Sequence, residues 1–176
     1  LPISITEDYF RRVTDLAAAS PVDLIIFSGD LIDEMSQVNW LPETLGRLEA
    51  PLGKFFILGN HDWYQDPPAI RQALADLAWQ DLGSRSVRLP YRDAVLGLAG
   101  DETPWMGRHP DFPNGVDFKI LVSHTPDNIR WAQSQQVDLM LSGHNHGGQV
   151  RLPVIGPIYS PSRFGCRFAS GLFLEP

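Results

Sequence analysis

Four short apolar runs each break off at small residues followed by polar ones: DLIIFSGD (23–30), KFFILGNHD (54–62), FKILVSHTP (118–126) and VDLMLSGHNH (137–146). Runs of this length, nearly all apolar and rich in β-branched residues, suit strands covered on both faces. Between them lie helical signals. Ser4 and Glu7 in SITE (4–7) have the spacing of a capping box, and Tyr9, Phe10, Val13, Leu16 and Ala17 follow at helical intervals. A second helix is predicted over 67–79, with Pro67 and Pro68 in its first turn and Ile70, Leu74 and Leu77 on one face. A third, shorter one is predicted over 127–135, while 86–116 mixes β-like pieces such as AVLGLAG with Pro- and Gly-rich loops. Alternating strand and helix predict an α/β layered fold, and at 176 residues without internal repeats the chain is read as one domain, 1–176.

In open α/β sheets ligands gather beyond the carboxyl ends of the strands. That is where Asp30, Asn60, His61, Asp62, His124, His144 and His146 fall, so four of the five histidines end strands. Carboxylate, amide oxygen and imidazole without thiolate favour Mn, Fe, Zn or Co over calcium or copper(I). If 144–146 is extended, His144 and His146 project to one side, spaced to serve two ions about 3.5–4 Å apart. Gly143 permits close approach, and Gly147 and Gly148 permit the turn away.

Net charge of −7 argues against nucleic-acid binding by general electrostatics. The single Cys166 excludes an internal disulfide and a cysteine-based zinc finger. Neither GxSxG nor GxxxxGK[ST] is present, and Ser28, Ser123 and Ser142 read as small fillers beside the metal-type residues. Arg151, Arg163 and Arg167 fit equally an anion clamp and surface ion pairs. Trp63, Tyr64, Trp105 and Met106 read as core rather than as a substrate wall, and His109 as a loop residue.

GDLID (29–33), GNHD (59–62), SH (123–124) and GHNH (143–146), in this order, resemble the motifs of the calcineurin-like metallophosphoesterases. The likeness runs over 24–146 and into GGQVRLP (147–153). It implies a four-layer α/β/β/α sandwich and hydrolysis of phosphoester or pyrophosphate bonds by a metal-bridging hydroxide attacking phosphorus in line. By the same resemblance Asp30 bridges two divalent ions, manganese favoured. Asn60, His124 and His144 complete one ion's shell, and His146 serves the other. His61 stabilises the transition state or donates a proton, oriented by Asp62, with Asp33 supporting from outside the ligand shell.

One family motif, an Asp-x-His on the first strand, is absent. The sheet is therefore expected to lack that strand, and the start at Leu1 rather than Met predicts an N-terminally truncated chain. One ion then keeps a full ligand set and the other only Asp30 and His146, so little turnover is expected from these 176 residues. The other reading is a non-catalytic metal-binding or protein-interaction scaffold on the same fold. The tail, 147–173, is similar to a bacterial branch that includes membrane-associated enzymes cleaving UDP-2,3-diacylglucosamine. This implies a small phosphorylated or nucleotide-lipid substrate and a cytoplasmic or membrane-associated bacterial protein, any anchor lying outside this sequence.

Overall fold

A computed structural model describes residues 6–175; the Ser4 cap lies outside them. The chain is mixed α/β, with three sheets among the described residues, and divides into two compact units, Leu1–Asp81 and Leu82–Pro176.

The first unit opens with α1 (Glu7–Ala18), whose Glu7 and Asp8 place negative charge at the positive end of the helix dipole. Its apolar side is only partly covered: Thr14 is buried, yet Tyr9, Val13 and Leu16 stay 45–73% exposed. Phe10, Val13 and Ala17 instead border a cavity of about 220 Å³ that Ile25, Phe27 and Leu31 also line. Strands β1 (Ile25–Ser28), β2 (Lys54–Ile57) and, past the helices α2 (Asn60–Trp63) and α3 (Pro67–Asp76), β3 (Trp79–Asp81) form a parallel sheet in the order β1-β2-β3. Central β2 explains its apolar run, since Phe55, Phe56, Ile57 and Leu58 are fully buried. Helix α3 starts where the prolines require, with the Asp66 side chain accepting from Ala69 N at 3.1 Å, and buries Ile70 and Leu74. It ends earlier than predicted: Ala78 turns the chain at φ 62° and Trp79 enters β3 to pair with Lys54.

The second unit carries β4 (Ser86–Tyr91), β5 (Ala94–Asp101), β6 (Phe118–Ser123) and, after a 3₁₀ turn and α4 (Ile129–Ser134), β7 (Leu139–Ser142). The order is β4-β5-β6-β7; the first pair is an antiparallel hairpin and the others are parallel. Leu121 of β6, Ala99 of β5 and Ala132 of α4 form a buried cluster that Trp131 and Met140 flank. A separate hairpin, β8 (Val150–Leu152) and β9 (Gly156–Tyr159), closes the unit and has no counterpart in the sequence reading. No helix among the described residues is long and apolar enough to cross a membrane.

Leu121 is fully buried at the centre of this cluster. Leu121→Ala should therefore lower stability by about 2–5 kcal/mol, the span for leucine truncations in cores. Denaturant unfolding of the variant beside the parent chain checks this; a loss under about 1 kcal/mol contradicts the packing.

Candidate metal centre

In the first unit the donors follow two adjacent parallel strands. Ser28 pairs with Ile57, so β1 and β2 end side by side. Beyond β1 the chain turns through Gly29 (φ 96°) and Asp30 (φ 59°), and Asp30 Oδ1 accepts from His61 N at 3.0 Å. A non-glycine residue in the left-handed region is uncommon, and aspartate is among those that tolerate it. Beyond β2 the chain winds at once into α2, so GNHD is a helical turn rather than a strand end. A carboxylate oxygen of Asp30 and a ring nitrogen of His61 lie within 4.8 Å of each other, near enough to serve one ion.

The carboxylate that orients His61 is Asp33. Its Oδ1 bonds the Nδ1 of His61, and it is itself held by Gln65, whose Nε2 donates to the Asp33 carbonyl at 2.7 Å. Partial burial alone would lower the His61 pKa, but the Asp33 hydrogen bond and the charges of Asp30, Asp33 and Asp62 outweigh it and raise it above the ordinary value. Asp62, expected to orient His61, does something else. Fully buried, it accepts from Leu31 N (2.8 Å) and Ile32 N (3.0 Å) on one oxygen and from Gly59 N (2.9 Å) on the other. Burial pushes its carboxyl above the usual range despite those three lowering bonds. Asp62 thus ties the turn after β1 to the turn after β2.

The second unit repeats the plan. Ser123 pairs with Ser142, and Gly143 N donates to the His124 carbonyl at 3.1 Å, bringing His124 and His144 together at neighbouring strand ends. Their rings are 5.2 Å apart, edge to face, with donor nitrogens within 4.8 Å. Trp105 packs on both, 5.2 Å from His124 and 4.8 Å from His144. His124 is fully buried. The GHNH segment is not extended: β7 stops at Ser142, and His144, His146, Gly147 and Gly148 all have positive φ. The two histidines separate because the loop coils, with His144 half-buried and His146 exposed. Asn145 between them is buried and anchors the coil, its Nδ2 donating to the Phe168 carbonyl at 2.9 Å.

Other residues fall out differently. Trp63 and Tyr64 are 45% and 71% exposed, so they are not core. Trp105 borders the histidine pair rather than filling a remote core, a placement that its loop sequence did not signal. His109 lies in a network: its Nδ1 meets the buried Asp101 at 2.8 Å, and its ring stacks on Trp131 at 4.5 Å. Arg163 pairs with Asp127 and Arg167 with Glu175, as surface arginines do. Arg151 donates to the Gly147 carbonyl at 3.4 Å.

Comparison with known proteins gives a match over residues 5–148 to the sequence model of the calcineurin-like phosphoesterases. YkuE of Bacillus subtilis, an uncharacterized metallophosphoesterase, is 32% identical over 95% of this chain and 61% of its own length. The phosphodiesterase YaeI of Escherichia coli is 26% identical over 98% of this chain and 64% of its own. The UDP-2,3-diacylglucosamine pyrophosphatase LpxG of Chlamydia muridarum is 24% identical over 85% and 61%. The chain spans 42–61% of the length of YkuE and of similar proteins from Helicobacter pylori and Aquifex aeolicus.

Proposed function

The chain belongs to the calcineurin-like phosphoesterase family, and on that premise we propose that it is a metal-dependent hydrolase of phosphoester or pyrophosphate bonds whose ions are held by Asp30, Asn60, His124, His144 and His146. The observation that most supports this is the His124–His144 pair, two imidazoles with donor nitrogens within 4.8 Å at the ends of adjacent parallel strands. The donor set fits a divalent transition metal: hard oxygen from Asp30 and Asn60, borderline nitrogen from the imidazoles, and no thiolate. Two ions are proposed, with manganese first among Mn, Fe, Zn and Co. Bound there, they would supply Lewis acidity, stabilising charge on phosphoryl oxygens and making the attacking water more acidic.

The chain's own groups do the rest. His61, its Nδ1 engaged by Asp33, is placed to hold at Nε2 the proton that the departing oxygen needs. Asp30, accepting from His61 N, keeps that residue beside the carboxylate. Trp105, packed against His124 and His144, restricts water on that side of the rings. For substrate, the names of YaeI and LpxG support a small phosphodiester or a nucleotide-lipid pyrophosphate.

Metal content is the deciding measurement. The chelator-stripped chain is expected to take up at least one manganese per chain in equilibrium dialysis. Any hydrolysis of bis-p-nitrophenyl phosphate should rise with added manganese and vanish on chelation. A chain that binds no divalent cation sinks the proposal in favour of a scaffold role, and hydrolysis that proceeds equally well without one sinks the metal dependence.

A further inference from the structure

The hairpin β8–β9 exposes a run of apolar side chains in the second unit. Val150, Leu152, Val154, Ile155, Ile158 and Tyr159 are 42–107% exposed, and all three residues of β8 face solvent. Large apolar side chains contiguous on the surface mark an interaction site. A two-stranded hairpin is also marginal by itself and gains from being covered. Its tip adds a second sign: Val154 adopts φ 68°. A β-branched residue is poorly suited to the left-handed region, which asparagine or glycine would occupy at little cost. A strained, fully exposed valine at a turn points to a use for its side chain outside the fold.

Charge indicates what the hairpin meets. The chain carries −7 overall, yet from 139 to 174 it contains no aspartate or glutamate. Arg163 and Arg167 within that stretch are answered by Asp127 and Glu175. Arg151, in the middle of β8, is exposed and has no carboxylate partner among the described residues. An apolar tip with a guanidinium just behind it matches an acyl boundary beneath anionic phosphates. Tyr159, opposite Val150, has the amphipathic ring suited to that depth. Val154 and Ile155 at the tip are 107% and 72% exposed, and a fluid interface takes up such side chains without a fitted pocket.

We infer that the hairpin Val150–Tyr159 docks this chain on an anionic lipid bilayer, with Val154 and Ile155 in the interface and Arg151 at the headgroup phosphates. The inference does not depend on the hydrolase proposal. It has a consequence for it, because the hairpin leaves directly from the loop that carries His144 and His146. Gly148 stands at that junction with φ 89°, where an added Cβ would come within 2.3 Å of Pro157 Cβ. Docking would therefore bring the GHNH loop to the bilayer surface on a short, closely packed connection.

The test is co-sedimentation of the whole chain with vesicles of equal phosphatidylglycerol and phosphatidylcholine, against pure phosphatidylcholine, at 0.1 M salt. At least tenfold stronger binding to the anionic vesicles is expected. The double substitution Val154→Asp with Ile155→Asp should lower it at least tenfold, and Arg151→Gln by about fivefold, the worth of one cation near an anionic surface. Both sites are exposed, so thermal unfolding of the variants should match the parent and show that the fold is kept. No binding to either vesicle overturns the inference, as does undiminished binding by the double variant. A concentration-dependent dimer in sedimentation velocity that the double variant abolishes overturns it too, assigning the hairpin to a second copy of the chain.

Discussion

Asp62→Ala is expected to destabilise the chain by about 3–5 kcal/mol, since three buried backbone donors lose their acceptor together. The carboxylate is fully buried and serves the N–H groups of Leu31, Ile32 and Gly59, each of which is itself buried. An unmade hydrogen bond at such a site costs about 1–3 kcal/mol, and the three are not additive because the freed turns can partly relax toward water. Asp62→Asn should cost less. Its amide oxygen can still accept from Leu31 and Ile32, but its NH₂ then faces the Gly59 N–H, donor against donor. Denaturant unfolding should therefore rank parent, Asn variant and Ala variant in that order. If Asp62 acted mainly by orienting His61, the Ala variant would keep its stability and lose only turnover. Near-parental stability of Asp62→Ala would remove the tying role assigned to it here.

How much of the fold is legible in the sequence follows from where the information for each element lies. The strands that became β1, β2, β6 and β7 were legible because their short runs are mainly apolar, as Phe55, Phe56 and Ile57 of β2 show. The helix predicted over 67–79 runs into the first residue of β3, because Trp79–Asp81 owes its conformation to pairing with β2, more than twenty residues earlier, and not to its own pattern. The exposed β8–β9 hairpin shows no alternation between a buried and a solvated face, so periodicity had nothing to detect. The donors themselves stood out because residue type and position after a strand are both local. Which carboxylate meets which imidazole is not local. Asp62 is next to His61 in sequence, yet the helical turn of α2 sends it to the backbone of 31–32, and Asp33 takes the ring. Positive φ at His144 and His146 replaced the extended geometry that their spacing suggested. The Asp101–His109 pair joins a strand end to a loop eight residues on, with no spacing rule to reveal it.

Removing His124 should show the largest effect on metal. Altering a group that merely supports a ligand typically costs 10–100-fold in metal affinity, so loss of a direct ligand should cost at least about 100-fold. His124→Ala and His144→Ala are both expected to do this, since each contributes one of two nitrogens that lie within 4.8 Å. Because His124 is fully buried against Trp105, its truncation also leaves a cavity, and a loss of activity alone would not separate ligand from packing residue. Linkage does separate them. A metal that binds only the folded chain stabilises it by about 2.7 kcal/mol when present at 100 times its dissociation constant. For a chain of this size that corresponds to a rise in Tm of roughly 5–10 °C. The parent should show this rise on adding manganese, and the two ligand variants should not, whatever their starting Tm. His109→Ala is the control: its imidazole is held by a buried carboxylate, Asp101, but it belongs to no proposed ligand set, so its variant should melt lower and keep the full manganese shift. If His124→Ala retained that shift and His109→Ala lost it, the metal would belong to the other imidazole.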